Sequence, residues 1–173
     1  MANYAKSKDV YRQIRAVFQP YAVAHGFSRV KKSDASWVKR IPGAQNLEIT
    51  FGINYWGRED HGGHLHLQIA LQSDPPKLLL LHEFLDREGL ERKAAVERIV
   101  EARWPFKGAD TQERDVQFRS HIFGEQVLKV SRGFTTSDHS FSYYGLADVK
   151  DWMEFIVGEL PRIIEQIESR YSS

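Results

Sequence analysis

Two short runs constrain this chain more than anything else in it. Leu47, Ile49, Phe51, Ile53 and Tyr55 alternate strictly with other residues, and so do Leu65, Leu67, Ile69 and Leu71. Successive side chains of a strand point to opposite faces, so this spacing predicts two β-strands with one buried face each. A helix cannot gather period-two residues into one stripe. Residues 57–63 (Gly-Arg-Glu-Asp-His-Gly-Gly) then read as a hairpin loop. Placing Tyr55 opposite Leu65 puts Ile53 opposite Leu67, Phe51 opposite Ile69 and Ile49 opposite Leu71. A slip of one residue would turn one apolar face to water, so the parity of this register is strongly preferred. The same register places Trp56 opposite His64, Asn54 opposite His66 and Gly52 opposite Gln68 on the other, polar face.

Helical spacing brackets these strands. Val10, Ile14, Val17, Phe18 and Tyr21 form one stripe, with Ser7 as the expected cap, Pro20 as a kink or restart, and Gly26 as the stop. Residues 35–41, containing Trp37 and Val38, read as a further strand ending at Pro42-Gly43. Residues 77–86, with the run Leu78-Leu79-Leu80-Leu81, are ambiguous. A charged helix is expected from Glu88 to Arg103, with Leu90, Ala94, Ile99 and Val100 as its apolar positions. Residues 116–123 and 127–134 predict two strands around a Gly124-Glu125-Gln126 turn, and residues 141–144 a short one. Asp148 is expected to cap a long last helix, whose stripe runs from Val149 through Trp152, Ile156, Leu160 and Ile163 to Tyr171, with a kink at Pro161. Short turns join consecutive strands. The fold class expected is therefore α+β: one domain over residues 1–173, a largely antiparallel sheet, and N-terminal, central and C-terminal helices packed on one face.

Composition excludes several chemistries. The chain of 173 residues has no cysteine, which removes disulfides, zinc–thiolate sites, iron–sulfur clusters and cysteine nucleophiles. No signal-peptide pattern is visible, and the longest leucine run is far short of the roughly 20 residues a membrane span needs. A cytoplasmic, non-membrane protein is expected. Residues 1–40 carry nine Lys and Arg against two acids, although the whole chain is near neutral at +1. Arg29, Lys31, Lys32, Lys39 and Arg40 lie near Trp37, a pattern that can bind single-stranded nucleic acid. Nucleic acid is not the expected partner, because such domains usually have a pI above about 9 and this sequence sits near 8.0.

Some features resemble a known family. The opening helix runs into His25-Gly26-Phe27, followed by Trp37-Val38-Lys39-Arg40, then Leu47-Glu48-Ile49-Thr50-Phe51-Gly52-Ile53-Asn54 and the second alternating strand. Over roughly residues 8–72 this layout resembles the mostly bacterial domain of unknown function 4304 family. The resemblance implies the α+β fold and an intracellular bacterial setting. It implies no activity, because that family has none to carry over.

The residues that most suggest chemistry are His61-Gly62-Gly63-His64-Leu65-His66. His64 and His66 are two apart on a strand and share a face. With His61, Asp60 or Glu59 as a third ligand they could hold one divalent metal ion and activate water for hydrolysis. Asn54 and Trp56, with His64 and His66, also form a recognition patch of aromatic area and polar handles. Glu48, Glu113, Asp115, His121 and Asp138-His139 are acid–base candidates that no spacing singles out. No serine lies in a Gly-x-Ser-x-Gly elbow, and no glycine-rich loop opens a helix. The function expected is a non-enzymatic binding module that holds a protein partner or small ligand through Asn54, Trp56, His64, His66 and the hairpin loop. No cofactor is expected on that reading. The alternative is a metal-dependent hydrolase on His61, His64 and His66.

Overall fold

The computed structural model describes residues 4–43, 45–54, 62–107, 113–120, 124–131 and 133–171. In chain order they form α1 (Ser7–Ala24), β1 (Ser28–Arg29), β2 (Ser36–Ile41), β3 (Gln45–Ile53), β4 (Gly63–Gln72) and β5 (Lys77–Leu79). A 3-10 turn (Leu81–Glu83), α2 (Arg87–Arg103), β6 (Glu113–Ser120), β7 (Gly124–Ser131), β8 (Ser140–Tyr143) and α3 (Leu146–Tyr171) follow. This is the α+β arrangement expected. No helix among the described residues is long and apolar enough to cross a membrane.

Strands β1 to β5 form one antiparallel sheet in sequence order. Strand β4 is long enough to carry two partners on the edge away from β3. Strand β8 pairs with its first half, residues 63–66, and β5 with its second half, residues 69–71. Strands β6 and β7 form a hairpin of their own.

The alternation buries Leu47, Ile49 and Phe51 of β3 with Leu65, Leu67, Ile69 and Leu71 of β4. Helices α1 and α3 lie against that face and against each other. Phe18 of α1 sits at an aromatic centre, 4.4 Å from Trp37 and 5.2 Å from Phe51 between ring centroids. Burying side chains of this size contributes about 1.5–3 kcal/mol each. Trp37 is fully buried, and its indole N–H donates to the Gln19 side chain at 2.8 Å. It is therefore a core residue, unable to stack on a base beside the basic N-terminal segment.

The register departs from the expected one by two residues. Ile53 faces Leu65, Phe51 faces Leu67, Ile49 faces Ile69 and Leu47 faces Leu71. A two-residue shift preserves the buried parity, so burial alone could not distinguish the two pairings. On the polar face His66 consequently lies opposite Gly52, not Asn54, and Gln68 opposite Thr50, not Gly52.

Other boundaries also differ. Lys6, not Ser7, precedes the first turn of α1, and no side chain caps it. Both α1 and α3 run on through Pro20 and Pro161. Gly26, at φ 78°, closes α1 with the Phe27 N–H donating to the Ala22 carbonyl, a Schellman ending that needs the left-handed conformation glycine supplies. Asp86 caps α2 through the Gly89 N–H at 2.7 Å. Leu90 and Ile99 of α2 are exposed, and its buried positions are Gly89 and Val100, because α2 rests against α3 along a narrow line. Gly124, Glu125 and Gln126 belong to β7, paired with residues 118–120, so the connection is residues 121–123, outside the described residues. Asp148 does organise the start of α3: its carboxylate accepts the N–H groups of Tyr144 and Gly145.

Candidate functional site

The helices occupy one face of the sheet, and the other carries the polar half of the alternation. From β2 it presents Ser36, Val38 and Arg40, from β3 Glu48, Thr50 and Gly52, and from β4 His64, His66, Gln68 and Ala70. At its centre Gly52 and His66 are paired. A Cβ placed on Gly52 would meet nothing within 4 Å, so no described element lies on the sheet at this point.

The two halves of this outer face differ chemically. Towards β2 its polar groups satisfy one another. The Ser36 and Thr50 hydroxyls are 2.8 Å apart, the Thr50 hydroxyl donates to Glu48 at 3.2 Å, and the Gln72 amide donates to Glu48 at 2.6 Å. Towards β8, His66 lies between two other imidazoles. Ring centroids are 6.4 Å from His66 to His64 and 6.3 Å from His66 to His139. Burial, and then the proximity of His139, push the His66 imidazole below its ordinary range, because a second positive charge is costly there. His139 enters from the turn before β8. The Leu67 N–H donates to its carbonyl at 2.9 Å, which fixes it in the gap between β8 and β5.

That gap opens into a cleft of about 240 Å³, walled by residues 78–81 with Gln68, Asp138 and His139 at its rim. Leu78 and Leu80 are 61% and 43% exposed, which places two large apolar side chains on this surface. Asp138 shapes the cleft. Its carboxylate accepts the backbone N–H groups of Leu81 at 2.8 Å and His82 at 2.6 Å and lies 3.0 Å from the His82 Nδ1. The ambiguous segment after Pro76 is thus a short strand and a 3-10 turn, tied to a turn more than fifty residues later.

The structure disperses the residues expected to act together. Trp56 and His61 lie outside the described residues. The Asn54 side-chain oxygen accepts the His64 N–H at 3.3 Å, so this residue closes the β3–β4 pairing. His64 and His66 do share the outer face. Two imidazoles on one tetrahedral ion at about 2.1 Å would bring their ring centroids to about 5 Å, closer than the 6.4 Å observed. Ring rotation would have to precede shared ligation. Among the described residues no three His, Asp or Glu side chains stand together as a metal site.

Nucleophilic catalysis finds equally little support. The Ser140 hydroxyl is 3.5 Å from the His64 Nδ1, too far for an activated nucleophile, and Asp138 is engaged with His82. Buried acids elsewhere are structural: Glu159 holds Arg92 and Asp148 holds Arg103. Sequence reasoning passed over Gln68 and the leucines beside it. It grouped Asp138-His139 with unremarkable candidates, since only the fold brings residue 139 to residue 66.

No family model, no curated protein and no solved structure matches the chain.

Proposed function

We infer that the protein is a non-enzymatic binding module whose working surface is the outer face of the sheet around His64, His66 and Gln68. The observation that carries this reading is the open space above Gly52 beside His66. A sheet face that is polar, half-buried at its rim and, among the described residues, uncovered at its centre is a surface on which another molecule can rest. The sequence adds Trp56 and His61 in the connection between β3 and β4 as further contacts. Among the described residues of this face, none forms the paired acid, base and nucleophile that turnover requires. The family resemblance of residues 8–72 brings no activity to this reading.

Quantitative affinity capture tests it with three forms of the protein: wild type, Gln68→Arg on the outer face, and Glu154→Arg at an exposed position of α3. Both positions are exposed, so both variants should fold. A partner or ligand retained by wild type and Glu154→Arg but lost by Gln68→Arg supports the outer face. Equal retention by all three, or loss only with Glu154→Arg, refutes it.

A further inference from the structure

The cleft between β5 and β8 joins two features that usually lie apart. One wall is apolar, with Leu78 and Leu80 exposed. His139 lines the cleft beside this wall, and the His66 imidazole, just outside the lining, lies nearly parallel to it, 27° between planes and 6.3 Å between centroids. Among the described residues neither imidazole has a hydrogen-bond partner, and neither does the Gln68 amide. Nor, among the described residues, does either imidazole have a counter-charge. Asp138 is taken up by Leu81 and His82, and Glu48 by Thr50 and Gln72. Unpaired polar groups converging beside an apolar wall are the pattern of a small-ligand site.

We propose that this cleft binds a small amphipathic carboxylate, its tail against residues 78–81 and its carboxylate bridging His66 and His139. The proposal rests on the reading of the outer face as a binding surface and names a ligand class for it. Two imidazole donors suit one negative charge. A phosphate, with its greater charge, is usually met by Arg or Lys. The nearby Lys77 is turned to Tyr171, 4.7 Å from its ring centroid. Size narrows the class further. The cleft of about 240 Å³ is below the roughly 300–1,000 Å³ of sites for drug-sized molecules. At about 30 Å³ per water-sized group it has room for about eight such groups, so the tail is short.

Binding should strengthen as the pH falls. A protonated imidazole is a cationic donor, and the ligand's negative charge offsets the burial cost, and then the proximity of His139, that lower the His66 pKa. The other titratable groups on this part of the face, among the described residues, are His64 on the same strand, the His82–Asp138 pair and Glu48.

Octanoate is the test ligand, with 1-octanol and acetate as comparisons, followed by NMR of methyl and imidazole signals. Octanoate should shift Leu78, Leu80, His66 and His139 and bind about tenfold more tightly than 1-octanol, since hydrogen bonds to a charged group are the stronger kind. Acetate should bind far more weakly. His66→Gln with His139→Gln should bring octanoate down to the 1-octanol level while leaving 1-octanol unchanged, a control that the cleft is intact. Equal affinities for octanoate and 1-octanol, unaffected by the histidine changes, would overturn the carboxylate assignment. So would shifts that avoid residues 78–81. Neither result touches the outer-face reading, which stands or falls on the Gln68→Arg capture.

Discussion

Asp138 fastens the turn before β8 to the turn after β5, and its removal gives a calculable loss. Asp138→Ala deletes the acceptor for two backbone N–H groups, those of Leu81 and His82. Leu81 is buried, so its N–H loses its partner without gaining water, at about 1–3 kcal/mol. The exposed His82 N–H can be rehydrated, and its share is about 0.5–1 kcal/mol. The His82–Asp138 ion pair adds little, since His82 is largely exposed. The total is about 1.5–4 kcal/mol, a fall in Tm of roughly 3–16 °C for a chain of this size. Asp138→Asn keeps one oxygen acceptor and should cost about half as much. Urea denaturation measures the loss, and amide exchange locates it: Leu81 and His82 should exchange faster while amides at the centre of β3 fall only with global stability. A loss below about 0.5 kcal/mol, or unchanged exchange at Leu81, would refute the claim that this carboxylate holds the cleft wall.

Four further outcomes follow. The Tyr21 hydroxyl is buried with no hydrogen-bond partner among the described residues, so Tyr21→Phe should leave stability unchanged or raise it by up to about 1 kcal/mol, measured by urea midpoint. In the same region, burial and then Glu168 push the Tyr21 phenol up to about 12, and ultraviolet titration should find one tyrosine ionising there. His66, lowered by burial and by His139, binds its proton less readily folded than unfolded. Its contribution to stability is therefore complete above the ordinary imidazole range and is lost as the pH falls below it; His139→Ala should raise the NMR-measured His66 pKa. Gly62 combines a φ of 72° with a Trp104 ring atom 2.5 Å from where a Cβ would sit, so Gly62→Ala should cost about 2–3 kcal/mol in a urea titration.

The fold was legible because period-two alternation and helical stripes are burial signals, and burial decides which face of each element meets the core. Leu47 to Phe51 and Leu65 to Leu71 point inward as their spacing requires, and the stripe of α3 from Val149 to Ile167 is buried. Register was not legible, because shifting β3 by two residues against β4 leaves every inward residue inward. Selection between the two pairings falls to interactions that alternation does not encode, such as the Asn54 oxygen meeting the His64 N–H. Helix α2 misled for a related reason. Leu90 and Ile99 fit a helical stripe, but the buried positions of α2 are Gly89 and Val100, so part of that stripe remains in water.

The site was legible only as far as one strand could carry it. Two-residue spacing put His64 and His66 on one face, and the structure keeps them there. The third imidazole is His139, seventy-three residues beyond His66, brought in because β8 stops at Ser140 and leaves the Leu67 N–H to the His139 carbonyl. Once β4 is shared between β8 and β5, a gap must open where neither reaches, at Leu67 and Gln68. Leu78 and Leu80 line the cleft at that gap together with His139. The long second alternating run thus has a double consequence. It is long enough to bind two short strands on one edge, and the interval between them is the cleft in which, among the described residues, polar and apolar groups are left without partners.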